Sequence, residues 1–237
     1  MSQTILITGA NRGIGLALTR ELLAQGRTVI ATCRNPDAAQ ALIDLEIRHH
    51  GSLTVVKLDV NSDSSVADAV AESGRITPSL EVLVNNAAIF PEEGNESIMD
   101  IDLQFFHDAF ACNVVGTIRV TRAFLPLLQK GKNPRIVNIS SGAGSISDKD
   151  DHSYYAYSTS KAALNMVTRA IASELKPQKI TVVALSPGWV KTDMGGPNAP
   201  LTPAESAASI ARTITSLSLQ STSLFLDRDG GQSEYGW

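Results

Sequence analysis

The 237-residue sequence predicts an α/β fold with a doubly wound sheet of seven, mostly parallel strands and helices on both faces. Short, β-branched apolar runs alternate with longer helix-like segments along the whole chain. These runs are almost continuously apolar, which is typical of strands that are covered on both faces. Parallel neighbours need crossover connections, and the helix-like segments provide them. No linker or repeat divides the chain, so residues 1–237 are expected to form one domain.

The predicted strands and helices alternate strictly in chain order. The strands are TILIT (4–8), TVIAT (28–32), LTVVKL (53–58), LEVLV (80–84), RIVNIS (135–140), ITVVALS (180–186) and SLFL (223–226). The helix-like segments lie between them, at residues 14–25, 36–50, 63–73, 102–129, 157–175 and 203–216. Irregular stretches at residues 141–153 and 191–203 follow the fifth and sixth strands, at the edge where open α/β sheets bind ligands.

Composition and charge exclude several classes of protein. The formal net charge is −4 and no basic stripe is present, so nucleic-acid binding is not expected. No segment has the length needed to span a bilayer, and the first residues do not resemble a secretory leader, which favours a cytoplasmic protein without a membrane partner. Neither Cys33 and Cys112 nor the four histidines have metal-ligand spacing, so no metal site is predicted. The absence of Gly-x-Ser-x-Gly excludes a hydrolase elbow.

A glycine-rich loop, TGANRGIG (8–15), follows the first predicted strand and opens an amphipathic helix. Glycines let the backbone turn tightly and approach a ligand, and the amino end of the helix offers unpaired amides and a positive dipole. The stretch therefore indicates a pyrophosphate site, although a glycine-rich turn that only closes a strand–helix unit is an alternative. Leu18 stands where a third glycine would complete GxGxxG, and the Gly-Lys-Ser/Thr end of a P-loop is absent.

A tyrosine and a lysine are four residues apart in the stretch YYAYSTSK (154–161). Residues four apart share a face of a helix, so Tyr157 is expected to lie beside Lys161. The same offset from Tyr154 or Tyr155 reaches only a hydroxyl side chain. A free phenol has a pKa of about 10, and a nearby ammonium lowers it. Tyr157 is therefore a candidate general acid for a carbonyl that is being reduced by hydride transfer.

The TGxxxGxG loop and the YxxxK pair resemble those of the short-chain dehydrogenase/reductase family, which are single-domain Rossmann enzymes that use NAD(P). Further matching pieces are Leu58-Asp59-Val60, Asn85-Asn86-Ala87-Ala88 and Pro187-Gly188-Trp189-Val190. Residues 155–165, 187–196 and 225–237 are similar to the sniffer and C-factor branch, which is carbonyl-reductase-like. The family usually has glycine where this chain has Ala88, so we expect a small shift of the nicotinamide-side ribose.

The resemblance implies a catalytic set of Asn113, Ser141, Tyr157 and Lys161. Tyr157 would act as the acid in reduction and as the base in oxidation, and Ser141 would orient the substrate carbonyl. The family pattern places the active serine at the second of two, so Ser141 is chosen over Ser140. Asn113 would hold a water that relays protons to Lys161, although a lone asparagine in an apolar helix is also typical of a satisfied core residue.

The same resemblance implies the residues that bind the cofactor. They are Gly9, Asn11, Arg12, Ile14, Arg34, Asp59, Val60, Asn86, Ala88, Tyr157, Lys161, Val190 and Thr192. An NAD enzyme of this fold places a carboxylate after the second strand to bind the ribose 2′-hydroxyl, and no acid is found there. Arg34 and Arg12 instead offer cations for a 2′-phosphate, which favours NADP.

The apolar side chains that are expected around the substrate pocket predict the substrate class. Phe90, Ile146, Trp189 and Met194 are expected to wall the pocket, with residues 194–200 as a lid, which favours an apolar or aromatic ketone, aldehyde or quinone. The predicted function is an NADPH-dependent carbonyl reductase, and the alternative is a dinucleotide-binding regulatory or signalling protein of the C-factor type.

The resemblance also implies an oligomer. The family's dimer surface corresponds to helices 102–129 and 157–175 of this chain, which predicts a homodimer or homotetramer.

Overall fold

A computed structural model describes residues 3–94 and 96–237 of the protein. Its seven strands are β1 Thr4–Ile7, β2 Thr28–Cys33, β3 Leu53–Lys57, β4 Val82–Asn85, β5 Arg135–Ile139, β6 Thr181–Ser186 and β7 Phe225–Asp227. They form one sheet in the order β3-β2-β1-β4-β5-β6-β7, and every neighbouring pair is parallel. The doubly wound, Rossmann-type fold is therefore confirmed, and the sheet is parallel throughout rather than mostly parallel.

Helices cover both faces of the sheet. They are α1 Gly13–Ala24, α2 Gln40–Arg48, α3 Asp63–Ile76, α4 Leu103–Ala109, α5 Thr117–Leu128, α6 Tyr155–Leu175 and α7 Pro203–Ser216. None of the helices in the described ranges has the length and the apolar composition to cross a bilayer. The predicted helix at 102–129 is interrupted, because Phe110–Gly116 between α4 and α5 is a π-helix.

Two other predicted elements are shorter in the structure, for local backbone reasons. Pro36–Ala38 forms a 3₁₀ turn, and α2 begins only after Ala39, which has a non-helical conformation. At the other end of the chain, Ser223 has a φ of 66°, so β7 begins two residues later than the predicted strand. A left-handed residue cannot continue an extended strand.

Alternating side chains of the strands divide the core into two layers. Ile5 and Ile7 of β1 face a cluster that includes residues of α1, α2 and α7. Leu6, between them, faces a second cluster that includes residues of α3, α5 and α6. All three side chains are almost fully buried. Burial of each stabilises the fold by about 1.5–3 kcal/mol relative to an exposed side chain, so β1 is held from both sides.

The order of the strands reverses between β1 and β4, and this switch point determines where the loops meet. Because all strands are parallel, the segments after β1, β4, β5 and β6 leave the same edge of the sheet. A buried polar network holds that edge together: the amide of Asn85 donates to Asn138 Oδ1 at 2.8 Å, and the amide of Asn138 donates to Thr168 Oγ1 at 2.9 Å. The network links β4, β5 and α6 directly below the loops.

Candidate active site

The glycine loop after β1 depends on positions that have no Cβ. Gly9 and Gly13 have φ values of 65° and 55°, which favour glycine. A Cβ at Gly9 would lie 2.9 Å from the Cα of Ala87, and one at Gly15 would lie 2.5 Å from the carbonyl oxygen of Gly9. The loop therefore packs closely against the segment after β4 and leads straight into the amino end of α1. Arg12, at the N-cap of α1, makes no side-chain bond to the first turn.

Asn86 holds the glycine loop in place. Its side-chain amide donates to the carbonyl oxygens of Thr8 at 2.9 Å and Gly9 at 3.1 Å. In return, Thr8 Oγ1 accepts hydrogen bonds from the backbone N–H groups of Asn86 and Ala87, both at 3.0 Å. The side chain of Asn86 is thus committed to the loop, and it shapes the predicted cofactor site from below.

The two arginines that the sequence assigns to a 2′-phosphate have different surroundings. Arg34 is an exposed residue immediately after β2. Arg12 Nη1 makes an ion pair of 2.8 Å with Asp193 in the segment after β6, and both side chains are largely exposed. Asp59 accepts a hydrogen bond at Oδ1 from the N–H of Asn61. All of these residues lie near the same edge of the sheet, because each follows a parallel strand.

Tyr157 and Lys161 lie one turn apart in the first half of α6, as their spacing predicts. The Ser141 hydroxyl lies close enough to the hydroxyl of Tyr157 to lower the pKa of the phenol. Ser141 Oγ also accepts from the N–H of Ala143 at 3.1 Å, which starts a 3₁₀ turn after β5. Lys161 Nζ donates to the carbonyl oxygen of Ile139 at 2.8 Å and lies 5.6 Å from the centre of the Tyr157 ring.

Burial shifts the pKa values of this pair in opposite directions. It raises the pKa of Tyr157 to about 12, and the side chain of Ser141 acts against that rise. It lowers the pKa of Lys161 to about 8. The rise for Tyr157 is opposite to the lowering that the neighbouring ammonium predicts, because desolvation of the phenolate outweighs a cation that is directed at the carbonyl of Ile139. Lys161 is nearly inaccessible, which explains its own lowered pKa.

Asn113 lies in the π-helix, and its amide group is used by neighbouring residues. Nδ2 donates to the carbonyl oxygen of Ile89 and to Ser160 Oγ, both at 3.0 Å, and Oδ1 accepts from the N–H of Ile89 at 2.9 Å. Both N–H donors are therefore occupied, as the core-residue alternative expects. Ser140 is also structural, because its hydroxyl donates to Asn165 Oδ1 at 2.6 Å.

The segment after β6 folds back on itself beside the glycine loop. The N–H of Lys191 donates to the carbonyl oxygen of Leu201 at 2.8 Å, and Val190 pairs with Leu201. Trp189 Nε1 donates to the carbonyl oxygen of Gly195 at 2.7 Å. A Cβ at Gly13 would come within 3.3 Å of Thr192, so the two loops are neighbours.

The four predicted pocket walls do not share one environment. The ring of Phe90 lies edge-on to that of Tyr157, with 4.9 Å between the ring centroids. Ile146, Trp189 and Met194 leave 73%, 58% and 41% of their surface exposed. Phe90 is thus part of the surroundings of Tyr157, and the other three are apolar side chains open to solvent.

Two contacts near the site have no counterpart in the sequence predictions. The carboxylate of Glu92 accepts from the backbone N–H groups of Ala156 and Tyr157. The segment after β7 covers the loop of Ser141, since a Cβ at Gly142 would lie 2.6 Å from the ring of Tyr235. The first contact depends on backbone groups and the second on the absence of a side chain at Gly142, so no sequence pattern predicts either of them.

A glycine loop at the switch point of a doubly wound sheet, with a tyrosine–lysine pair at the same edge, defines the dinucleotide-binding oxidoreductases. A family model described as short chain dehydrogenase matches residues 3–200. The chain therefore belongs to the short-chain dehydrogenase family, and it is an oxidoreductase of that family.

Comparison with individual proteins shows to which branch of the family the chain is similar. The carbonyl reductase Sniffer of D. melanogaster superposes with a TM-score of 0.94 at 36% identity, over 100% of both chains. The NADPH-bound carbonyl reductase from chicken fatty liver gives a TM-score of 0.92 at 35% identity, over 99% of both chains. The C-signal protein of Myxococcus xanthus is 38% identical over 162 residues, which cover 68% of this chain and 95% of that protein. These similarities confirm the sniffer and C-factor-like branch.

Proposed function

We propose that the protein is an NADPH-dependent carbonyl reductase that converts an apolar or aromatic ketone, aldehyde or quinone to an alcohol. The observation that carries the proposal is the grouping of Tyr157, Ser141 and Lys161: the Ser141 hydroxyl acts on the phenol, and Lys161 Nζ lies 5.6 Å from the centre of its ring. Two hydroxyl groups at the edge that also holds the glycine loop suit a carbonyl oxygen that gains negative charge. In this proposal residues 1–237 act as one dinucleotide-binding domain.

The residues of the chain fit a dinucleotide. Glycines at positions 9, 13 and 15 leave no room for a Cβ or have φ values that favour glycine, and the first turn of α1 follows directly. When bound, NADPH would supply the hydride. Ser141 and Tyr157 would orient the substrate oxygen, and Tyr157 would deliver its phenolic proton as that oxygen becomes an alkoxide. Lys161 would hold positive charge beside the phenol and offer donors to the ribose hydroxyls.

The choice of NADP over NAD rests on charge and on a solved relative. No carboxylate follows β2, where Arg34 is exposed instead. The carbonyl reductase from chicken fatty liver has NADPH bound. We expect the protein to oxidise NADPH much faster than NADH with the same substrate. Faster turnover with NADH would contradict the role of Arg12 and Arg34.

The first experiment follows NADPH oxidation with a panel of aromatic aldehydes, diketones and quinones. Tyr157→Phe removes the proton donor and little else, so kcat should fall by about 10²–10⁴-fold. Binding of NADPH, measured by its fluorescence, should stay near that of the wild type. Turnover that survives in the Phe variant would contradict the proposed role of Tyr157.

A second candidate function is a dinucleotide-binding signalling protein. The sequence similarity to the C-signal protein favours it. A pure binding protein needs Lys161 to hold the ribose but not a positioned phenol. The same Tyr157→Phe variant separates the two: a cellular phenotype that depends on the phenol supports the enzyme, and one that does not supports the signalling protein.

We also propose that the protein is cytoplasmic and forms a homodimer or homotetramer. Cys33 and Cys112 are both free thiols, which suits a reducing compartment. The surfaces of α5 and α6 carry exposed apolar side chains that a second copy would cover.

A further inference from the structure

Glu92 is a buried carboxylate that the proposed reaction does not use. It lies in the segment after β4 with 4% of its surface exposed. No ion pair found among the described residues includes it. Its two oxygens instead accept from the N–H of Ala156 at 2.9 Å and the N–H of Tyr157 at 2.6 Å. A buried carboxylate is unfavourable unless hydrogen bonds compensate it, so these two bonds explain its burial.

The amino end of α6 needs such a partner. Tyr154, at the N-cap, has a φ of 60° and makes no side-chain bond to the first turn, and that turn contains no acidic residue. Helix amino ends carry unpaired N–H groups and a partial positive charge. Glu92 supplies both the acceptors and the negative charge, from a segment 64 residues earlier in the chain.

The same short segment reaches Tyr157 and its surroundings at three points. Glu92 holds the backbone of Tyr157, and the ring of Phe90 lies against the Tyr157 ring at 4.9 Å. The backbone of Ile89 is held on both sides by the amide of Asn113. Because Ala88 directly precedes these residues, the segment connects the predicted ribose contact with the phenol. A displacement of Glu92 would therefore move Tyr157 relative to the cofactor side of the site.

We propose that Glu92 is a positioning residue for Tyr157: its carboxylate fixes the first turn of α6, and thereby the place of the phenolic hydroxyl. The inference rests on the proposed function, since it concerns the proton donor of that reaction. It assigns a role to a side chain that contacts neither the substrate oxygen nor Lys161.

Glu92→Gln tests the proposal, because the amide keeps the size of the side chain but can accept well at only one of its two ends. We expect kcat to fall about tenfold or more, because small misplacements of a catalytic group are costly. The dissociation constant of NADPH should change less than about twofold, because the glycine loop is untouched. The solvent deuterium isotope effect on kcat should rise, because proton delivery by Tyr157 becomes more rate-limiting. Glu93→Gln is the matched control: the neighbouring side chain is exposed, and the variant should behave as the wild type.

Two further measurements guard against a general loss of structure. In a Tyr157→Phe background, Glu92→Gln should cause no further loss of the residual rate, because the positioned hydroxyl is already absent. Glu92→Asp keeps the carboxylate on a side chain that is one methylene shorter. Its kcat should lie between that of the wild type and that of the Gln variant, and it serves as the second test where the Gln variant folds poorly. A kcat equal to that of the wild type in the Gln and Asp variants would overturn the proposal. An equal loss in the Tyr157→Phe background would also overturn it.

Amide hydrogen exchange separates this inference from the proposed function. In Glu92→Gln, the amides of Ala156 and Tyr157 should exchange faster, whereas Glu93→Gln should leave them unchanged. A wild type that reduces no carbonyl would refute the proposed function, and faster exchange in the Gln variant would still support the positioning of Tyr157. Unchanged exchange of the Tyr157 amide would overturn the role of Glu92 whatever the activity.

Discussion

Lys161 carries an ammonium into an almost inaccessible part of the site, and this position links its charge to stability. Burial lowers its pKa from 10.5 to about 8. Between those pH values the unfolded chain binds a proton that the folded chain does not hold. The free energy of unfolding therefore gains a contribution that rises with pH, by up to about 1.4 kcal/mol per pH unit. A protonated Lys161 thus costs stability below pH 8.

Lys161→Met should remove this contribution. Measured by urea unfolding, the free energy of unfolding of the wild type minus that of the variant should rise between pH 8 and 9.5. Burial raises the pKa values of Tyr157 and Cys33, which lowers stability at high pH, but these groups are common to both proteins. The exposed Lys176→Met serves as the control and should keep the pH dependence of the wild type. A difference that is flat with pH would show that Lys161 does not titrate in this range.

At the scale of the element, the π-helix Phe110–Gly116 brings a helix close to the end of β3. A Cβ at Gly116 would lie 2.9 Å from Cγ2 and 3.0 Å from Cβ of Val60, which is one of the predicted cofactor contacts. Valine is stiff at χ1, so it cannot easily move away. The absence of a side chain at Gly116 therefore permits the packing between the π-helix and the cofactor side of the sheet.

Gly116→Ala should destabilise the protein by about 1–3 kcal/mol, because overpacking forces the backbone or Val60 to shift. The displaced Val60 should also raise the dissociation constant of NADPH. Gly74→Ala is the control, since this exposed glycine lies within α3 and has open space around its Cα. That change should stabilise the protein by about 0.4–1 kcal/mol. Thermal and urea unfolding measure both variants, and a stable Gly116→Ala with normal NADPH binding would contradict the packing argument.

The elements that the sequence predicts well are those with a clear apolar pattern, either periodic or continuous. Helix α7, at Pro203–Ser216, has the predicted bounds, and β3 ends one residue before its predicted end. The π-helix could not be predicted, because FACNVVG is an ordinary run for an amphipathic helix. A π-helix differs from an α-helix in its backbone hydrogen bonds, which span one residue more, and this difference does not require a particular type of side chain.

The same limit applies to the site. Tyr157 and Lys161 could be paired from the sequence because they lie on one helix at a fixed offset. Glu92 could not, because its partners are backbone N–H groups at residues 156 and 157, which every sequence contains. The raised pKa of Tyr157 also escapes prediction, since desolvation depends on the packing of Phe90 and its neighbours.

At the scale of the whole molecule, the parallel sheet is what assembles the site. The glycine loop, Ala88, Ser141 and Val190 follow four different strands, and they meet because those strands end at one edge. The helices α5 and α6 also carry exposed apolar side chains that the site does not use. Val115 of the π-helix, Ile118 of α5 and Met166 of α6 expose 45%, 39% and 69% of their surface. Exposed apolar side chains on neighbouring helices are typical of a subunit interface.

Met166→Glu should break the proposed dimer, because a buried charge without a partner costs several kcal/mol at each of two symmetric positions. Light scattering at micromolar concentration should show a dimer or tetramer for the wild type and a smaller species for the variant. Ile47→Glu is the control: Ile47 lies on α2 with 73% of its surface exposed, so a charge there should not change the assembly. A wild type that is monomeric at these concentrations would refute the interface, and equal dissociation by both variants would show that surface charge alone is responsible. Because Tyr157 and Met166 lie on the same helix, a monomeric variant with weakened turnover would further show that dimer formation supports the first turn of α6.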